Sequence, residues 1–261
     1  MLTIDLKGRR ALVTGGNSGI GAAIAAALAE AGADVAINYL HRPEAAEAGA
    51  AEARKRGGRA LTIEADVSDA SAVATMFGRL DDEWGGLDIL VNNAGIDGQR
   101  MEADGADIAS WRQVVEVNLF GAFHCAREAL RRMLPQRRGV ILNMTSVHEV
   151  IPWSGYSAYA ASKAGLSMLT RTLAQEAAPA NVRVLALAPG AIKTAINRAV
   201  WSDTAGLADL NAKIPMGRMG EPAEIARMAT VLVSDIASYA SGTTVFVDGG
   251  MTDYADFSHG G

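Results

Sequence analysis

The chain alternates short apolar runs with longer amphipathic stretches, and this alternation restricts its fold more than any other feature. The short runs are typical of buried strands and lie at 7–13 (after a polar entry), 34–38, 60–65, 89–92, 139–144, 182–188 and 244–247. The amphipathic stretches lie at 43–56, 69–84, 110–134, 157–178 and 222–232, and an alanine-rich helix ends near 31. The order predicts an α/β fold, a doubly wound parallel sheet with helices on both faces and ligand at the carboxyl ends of the strands.

Length and composition favour a single domain for residues 1–261. A chain of 261 residues with 49% hydrophobic residues can fill one large core. The segment 194–220 has no strand pattern and is rich in polar and small residues. A stretch of that length inside a compact domain predicts a lid over the substrate site.

The charge and the termini exclude several classes of protein. The net charge is −5, and the basic pairs at 131–132 and 137–138 are typical of solvated helix ends, so no nucleic-acid partner is expected. There is no leader pattern and no apolar run of the ~18 residues that a membrane span needs, so we expect a cytoplasmic protein with no membrane partner. Cys125 is the only cysteine, which excludes an intrachain disulfide and a cysteine-cluster metal site; no metal site is predicted.

A glycine-rich turn, Thr14-Gly-Gly-Asn-Ser-Gly-Ile-Gly21, follows the first predicted strand. Glycines at 15, 19 and 21 let the backbone turn tightly and approach a pyrophosphate at a helix N-terminus, where free amides and the helix dipole favour negative charge. The alternative is an ordinary strand-to-helix connection. Its position after the first strand favours a dinucleotide site.

Tyr159 and Lys163 are four residues apart, which places a phenol and an ammonium on one face of a predicted helix. A phenol has an unperturbed pKa of ~10, and a nearby ammonium favours the phenolate. Ser146 lies thirteen residues before the tyrosine, close to the end of a predicted strand. The three side chains predict proton transfer to or from a substrate oxygen, whereas a Tyr-x-x-x-Lys pair alone is also compatible with a solvated helix face.

Several motifs in the same order and spacing resemble the short-chain dehydrogenase/reductase superfamily over essentially the whole chain. These are Thr14–Gly21, Asp66-Val67, Asn92-Asn-Ala-Gly95, Asn118, Ser146, Tyr159-x-x-x-Lys163 and Pro189-Gly190. The resemblance implies a Rossmann-type fold, a nicotinamide cofactor (NAD or NADP) and a catalytic tetrad of Asn118, Ser146, Tyr159 and Lys163.

The implied roles agree with the chemistry of these groups. Tyr159 would take the hydroxyl proton of an alcohol, Ser146 would hydrogen-bond its oxygen, and Lys163 would lower the phenol pKa and hold the cofactor ribose. Asn118 lies in an otherwise apolar helical stretch. Either its side chain bonds the local backbone and bends the helix, or its carbonyl holds a water that relays the proton, and both readings need the same bend.

The resemblance also implies a set of cofactor contacts. They are Gly15, Asn17, Ser18, Gly19, Ile20, Gly21, Asn38, Asp66, Val67, Asn93, Ala94, Gly95, Tyr159, Lys163, Pro189, Gly190, Ile192 and Thr194. Asp66 would contact the adenine amino group. Asn38, placed at the end of the second strand, is neutral and would not repel a 2′-phosphate, while His41 or Arg42 could meet it; we therefore expect both NAD and NADP to be tolerated.

Two segments, 146–153 and 248–254, are similar to those of bacterial glucose 1-dehydrogenases, as are 190–197 and 214–217. This similarity implies a small-molecule sugar or polyol partner and oxidation of the anomeric hydroxyl of an aldohexose such as glucose to the lactone. A sugar pocket needs several converging donors and acceptors, and the candidates are Asp97, Ser146, His148 and Asn197. The alternative for His148 is a loop histidine bonded to backbone.

Two departures from the glucose enzymes leave other substrates open. Asp97 stands where those enzymes tend to have glutamate, and the spacer before Tyr159 is smaller and more polar than theirs. Another aldose or a cyclic polyol could fit. The remaining alternatives are a carbonyl reductase of the 3-oxoacyl type, working in the opposite direction, and a non-catalytic dinucleotide-binding sensor.

The C-terminal tail carries Met251, Tyr254 and Phe257, which are too few to form a core of their own. Since burial of such side chains is favourable, we expect the tail to dock and brace the sugar site of a homotetramer, as the resemblance implies. The alternative is a frayed end.

Overall fold

The computed structural model describes residues 4–195 and 197–253. Seven strands lie in these residues: β1 Arg10–Val13, β2 Asp34–Tyr39, β3 Ala60–Glu64, β4 Ile89–Asn92, β5 Gly139–Met144, β6 Val182–Pro189 and β7 Thr244–Val247. The α-helices are α1 Gly19–Glu30, α2 Pro43–Lys55, α3 Ala70–Trp84, α4 Ile108–Val115, α5 Gly121–Gln136, α6 Ser157–Ala177, α7 Arg198–Trp201, α8 Thr204–Asn211 and α9 Pro222–Val233. The predicted alternation of strands and helices is confirmed.

All seven strands are parallel and form one sheet in the order β3-β2-β1-β4-β5-β6-β7. The chain builds outward from β1 in one direction through β2 and β3, and then in the other from β4. This reversal between β1 and β4 opens a crevice at the carboxyl ends of the strands, where doubly wound sheets bind ligands. The Rossmann-type, single-domain prediction is confirmed.

The sheet is buried from both sides because its strands send alternate side chains to opposite faces. In β1, Ala11 and Val13 join a core with α1, α2 and α9, whereas Leu12 joins a second core with α3, α5 and α6. β4 and β5 are buried along their whole length. The sheet is therefore a rigid base for the residues that follow its strands.

One long predicted helix is divided into two. Residues 108–136 form α4 and α5, joined by a π-helical turn at Glu116–Phe120. The segment 194–220 contains α7 and α8, and a bridge between Ile192 and Gly220 closes its base. Its role as a lid stays a prediction.

The tail is described only as far as residue 253. Met251 Sδ lies 3.3 Å from the backbone nitrogen of Ala191, which ties the start of the tail to the end of the sheet. Tyr254 and Phe257, on which the docking prediction depends, lie outside the described residues. Within the described part of the chain, no helix has both the length and the apolar character needed to cross a membrane.

Candidate active site

The glycine-rich turn brings β1 and α1 unusually close. Gly15 and Gly19 have φ of +58° and +53°, which side chains rarely adopt. A Cβ at Gly21 would overlap the carbonyl oxygen of Gly15 and the Asn93 amide. Ser18 precedes α1 and forms no side-chain cap, so the first amides of the helix are left for a ligand. The turn fits a pyrophosphate group.

Thr14 and Asn93 hold this turn against the end of β4. Thr14 Oγ1 accepts hydrogen bonds from the backbone N–H groups of Asn93 (2.9 Å) and Ala94 (3.0 Å). The Asn93 amide donates to the carbonyl oxygens of Thr14 (3.0 Å) and Gly15 (3.2 Å). The side chain of Asn93 therefore holds the glycine-rich turn in place through its backbone carbonyls, and Ala94 and Gly95 follow it in the chain beside the turn.

Asn38 does not lie where the sequence placed it. β2 continues to Tyr39, and Asn38 is 2% exposed beneath the glycine-rich turn. Its Oδ1 accepts from Gly15 N–H at 3.3 Å, and its Nδ2 donates to the carbonyls of Ile63 (3.3 Å) and Ala65 (3.0 Å). Because both ends of the amide are bonded, the prediction that Asn38 faces the ribose is wrong. Tyr39, the last residue of β2, and the residues after it are the candidates for that contact.

The remaining predicted cofactor residues line the same edge. Asn17 Nδ2 donates to the carbonyl of His41 at 2.7 Å, joining the turn to the loop after β2. Asp66 follows β3 and accepts from the Ser68 hydroxyl at 2.7 Å. Ile20 and the buried Val67 pack into the cores, so their backbone rather than their side chains is left to face a ligand.

The end of β6 approaches the turn from the other side. Gly190 follows Pro189 and packs on the β7 end, where a Cβ would lie 2.7 Å from Asp248 Cα. Ile192 is buried. The Thr194 side chain lies next to Gly19 of the glycine-rich turn, since a Cβ built on Gly19 would be 3.5 Å from it. The edges formed by β1, β4 and β6 therefore converge on one groove.

Asn197 was predicted to contact substrate, but its amide is bound within its own loop. Oδ1 accepts from the backbone N–H of Thr194 at 3.0 Å, and Nδ2 donates to the carbonyl of Ile192 at 2.9 Å. The side chain fixes the turn at 192–194. It has no free end for a sugar hydroxyl.

Asn118 lies inside the π-helical turn, where the sequence predicted a bend. Its Oδ1 accepts from Ile96 N–H at 2.8 Å, and its Nδ2 donates to the Ile96 carbonyl (2.9 Å) and to Ser162 Oγ (3.1 Å). The side chain thereby joins the loop after β4 to α6. A π-turn shifts the helical bonding by one residue, which is the usual way to free or redirect backbone groups at a site.

Ser146, Tyr159 and Lys163 come together at the end of β5. Ser146 Oγ accepts from His148 N–H at 3.2 Å, which fixes the serine at the start of a short 3₁₀ turn. Tyr159 and Lys163 are one turn apart on α6, with Lys163 Nζ 5.6 Å from the tyrosine ring centroid. Lys163 Nζ is buried and donates to the Met144 carbonyl at 2.9 Å.

Burial opposes charge on both members of this pair. It raises the pKa of Tyr159 to about 12, with the Ser146 hydroxyl acting in the opposite direction. It lowers the pKa of Lys163 to about 8, against the attraction of Asp97 and Glu149. That Lys163 lowers the phenol pKa stays a prediction, and burial, the largest effect on Tyr159, acts in the opposite direction.

An aromatic wall of His148, Trp153 and Tyr156 stands beside Tyr159. Trp153 stacks on His148 (centroids 4.4 Å apart, 14°) and on Tyr156 (3.9 Å, 24°). The Tyr159 ring meets Trp153 edge-on at 5.8 Å. Trp153 and Tyr156 are not among the site residues predicted from the sequence. The signal that points to them is the regular spacing of three residues between Trp153, Tyr156 and Tyr159.

His148 has one ring nitrogen occupied and one open. Its Nδ1 lies 3.1 Å from the Ile151 carbonyl and must donate there, which leaves Nε2 as the acceptor of the neutral ring. Burial lowers the pKa of His148, which favours that neutral form. The backbone bond expected of a loop histidine is present, and no residue in the described part of the chain bonds Nε2, which is left for a substrate.

Beyond the wall, a cleft lies between the loop after β4, α4 and the start of α6. Its lining includes Asp97, Met101, Ser110, Trp111, Val114, Tyr156 and Ala158. Trp111 Nε1 donates to Ser157 Oγ at 3.1 Å, which joins the two sides of the cleft. Burial raises the pKa of Asp97.

Comparisons with known proteins cover nearly the whole chain. The protein-family model described as Enoyl-(Acyl carrier protein) reductase matches residues 15–252. The chain is 44% identical over 257 residues to 3beta-hydroxysteroid dehydrogenase 1 of Eggerthella lenta, covering 98% of each. It is 39% identical over 251 residues to Glucose 1-dehydrogenase 2 of Bacillus subtilis, covering 96% of this chain and 97% of that protein.

A solved structure is similar over the same length. It is a gluconate 5-dehydrogenase from Burkholderia cenocepacia in complex with NADP and tartrate. The TM-score is 0.91 at 36% identity, with 97% of this chain and 98% of that chain covered.

Proposed function

The chain belongs to the short-chain dehydrogenase/reductase family, and from that membership we propose that it interconverts a secondary hydroxyl and a carbonyl on an alicyclic ring. It is an oxidoreductase whose cofactor is NAD or NADP. The observation that carries the choice of a ring substrate is the aromatic wall of His148, Trp153 and Tyr156 beside Tyr159.

The residues of the tetrad have separate roles in this reaction. When bound, NAD or NADP accepts or returns the hydride. Tyr159 takes the proton of the substrate hydroxyl during oxidation, and Ser146 hydrogen-bonds the same oxygen as it becomes a carbonyl. Lys163 supplies positive charge next to the phenol. The Asn118 amide is occupied, so its backbone carbonyl in the π-turn is the group left to hold a relaying water.

The aromatic wall suits a saturated ring because its stacked rings supply a large apolar area for burial. The edge of Tyr159 meets this wall, so a ring lying on it carries its hydroxyl to the phenol. The name of the Eggerthella lenta relative also denotes a hydroxyl on a ring system. These observations support an alicyclic alcohol before an open-chain thioester.

Glucose oxidation at the anomeric hydroxyl is the second candidate, and Asp97 favours it. A carboxylate in the cleft can accept hydrogen bonds from sugar hydroxyls, and the Bacillus subtilis relative is named for that substrate. With Asn197 bound in its own loop, however, fewer polar groups converge than a sugar pocket needs. We therefore place glucose second.

The test is NAD(P)H absorbance with each cofactor and four substrates. These are cyclohexanol, a 3β-hydroxysteroid, glucose and an acetoacetyl thioester, the last assayed in the direction of reduction. We expect the two alicyclic alcohols to be oxidised faster than glucose, and the Tyr159→Phe variant to be inactive with all of them. Turnover of the thioester alone would favour a 3-oxoacyl reductase, and cofactor binding with no turnover would favour a sensor.

A further inference from the structure

Asp97 is held at a fixed place in the cleft next to the catalytic site. The residue before it, Ile96, has both its N–H and its carbonyl bonded to the Asn118 amide, at 2.8 and 2.9 Å. The side chain of Asp97 is half-buried and lines the cleft together with Ser110 and Tyr156. Within residues 4–195 and 197–253, no protein group donates a hydrogen bond to its carboxylate.

The charge of Asp97 is not cancelled by a direct ion pair in the described part of the chain. Lys163, on α6, is committed to the Met144 carbonyl. Burial lowers the pKa of His148, on the turn after β5, which favours its neutral form although Asp97 acts in the opposite direction. Arg100, on the same loop as Asp97, pairs with Glu102 at 3.3 Å, and its side chain is 67% exposed.

Among the described residues that line the cleft, Asp97 is the charged one; Arg100 packs on Gly155 at its margin and is paired with Glu102. The other lining residues are glycines, apolar side chains, Gln99, Ser110, Ser157, Trp111 and Tyr156. The Trp111 N–H is bonded to Ser157. A ligand group that reaches this cleft therefore meets a carboxylate to which no described residue donates a hydrogen bond, although the charge of Lys163 attracts it through space. Burial raises the pKa of that carboxylate, as expected where the charged form lacks donors.

We propose that Asp97 selects substrates by the group they carry on the far side of the ring: the cleft accepts ring alcohols bearing a second hydroxyl or an ammonium and excludes those bearing a carboxylate. This inference rests on the proposed oxidation of alicyclic alcohols. A hydroxyl or ammonium supplies the donor that the carboxylate lacks. A second carboxylate would place two anions together in a half-buried cleft, and such repulsion is a common basis of specificity.

The experiment compares kcat/KM at neutral pH for four ring alcohols with saturating cofactor. They are cyclohexanol, cyclohexane-1,4-diol, 4-aminocyclohexanol and 4-hydroxycyclohexanecarboxylate. We expect the diol and the ammonium to exceed the carboxylate by about tenfold or more, since juxtaposed like charges are costly at recognition sites. Asp97→Asn keeps the shape and removes the charge, so the carboxylate-to-cyclohexanol ratio should rise by about tenfold and the ammonium-to-cyclohexanol ratio should fall.

Asp104→Asn is the matched control. Asp104 is an exposed carboxylate in the following 3₁₀ turn, outside the cleft, and its loss changes the net charge equally. Both ratios should stay as in the parent in this variant. If ring alcohols are oxidised but Asp97→Asn leaves the ratios unchanged, the role of Asp97 is overturned and the proposed function stands.

If no ring alcohol is turned over, a binding measurement tests the selective role of Asp97 separately from the proposed oxidation of ring alcohols. Cyclohexylammonium and cyclohexanecarboxylate are titrated calorimetrically into the cofactor-bound protein. Preference for the ammonium that disappears in Asp97→Asn supports the selective role even though the proposed reaction has failed. Equal affinity for the two compounds overturns it.

Discussion

Burial favours the neutral form of both Tyr159 and Lys163 in this structure. The aromatic wall and the end of β5 exclude water from them, which raises the phenol pKa to about 12 and lowers the amine pKa to about 8. Each member of such a pair changes the titration of the other. If Tyr159 is the base of the proposed alcohol oxidation, its deprotonated form is expected to depend on pH and on the charge state of Lys163 together.

Removal of the phenolic oxygen should stop the reaction. We expect Tyr159→Phe to lower kcat by about 10²- to 10⁴-fold, the usual contribution of a positioned acid or base. The cofactor dissociation constant should change little, because only the titrating oxygen is lost. Tyr239→Phe, at a fully exposed tyrosine, is the control. Activity of Tyr159→Phe within about tenfold of the parent would contradict the assigned role.

The pH dependence of alcohol oxidation tests whether Tyr159 and Lys163 titrate as a coupled pair. The raised phenol pKa keeps Tyr159 protonated at neutral pH, so alcohol oxidation should rise toward alkaline pH as the base form appears. The pKa of Lys163 is lowered to about 8, so the amine loses its charge above that pH. The alkaline limb of the rate profile is therefore set by Tyr159 and Lys163 together. Lys163→Met removes the charge at every pH and should move the limb to higher pH. The measurement is kcat against pH with a deuterated alcohol that makes hydride transfer limiting; identical limbs would refute the coupling.

At the scale of elements, we expect the end of β2 to determine which groups contact the cofactor ribose. Position 38 is buried beneath the glycine-rich turn, and the strand ends one residue later at Tyr39. An acidic residue at the exposed end of this strand binds ribose hydroxyls and repels a 2′-phosphate. We therefore expect the choice between NAD and NADP to depend on residue 39 and the loop after it.

Two substitutions distinguish these positions. Tyr39→Asp should raise the ratio of kcat/KM for NAD over NADP. Asn38→Asp should instead destabilise the protein, because the carbonyls of Ile63 and Ala65 lose their donor, at about 1–3 kcal/mol for each unsatisfied group. Urea unfolding and the cofactor ratio are measured for both. A cofactor shift in Asn38→Asp with unchanged stability would return the specificity role to position 38.

For the whole molecule, the sequence predicted what depends on local pattern and missed what depends on neighbours. The strand order follows from βαβ alternation, and Tyr159 and Lys163 share a face because of helical spacing. The depth of Asn38 depends on β1 and β3 beside it, and the capture of Asn197 depends on the path of its loop. Neither is visible in spacing alone.

Assembly is also a property of the whole molecule, and exposed apolar side chains on neighbouring helices predict it. Phe120 and Phe123, in the π-turn and α5, are 46% and 40% exposed, and Met168 on α6 is 59% exposed. Burial of such side chains is worth roughly 1.5–3 kcal/mol each. Single exposed apolar residues are ordinary, but adjacent ones mark interaction surfaces. We therefore expect these helices to pair between copies in the homotetramer that the family resemblance implies.

Phe123→Glu should break this association. The charge would be buried in the interface without a partner, so a smaller species than the parent tetramer is expected by light scattering, with the circular dichroism spectrum retained. Ile108→Glu places the same charge at a side chain that is 71% exposed at the start of α4, and it should leave the mass unchanged. A monomeric parent protein would contradict the predicted assembly. A tetrameric Phe123→Glu variant would show that the copies meet through another surface.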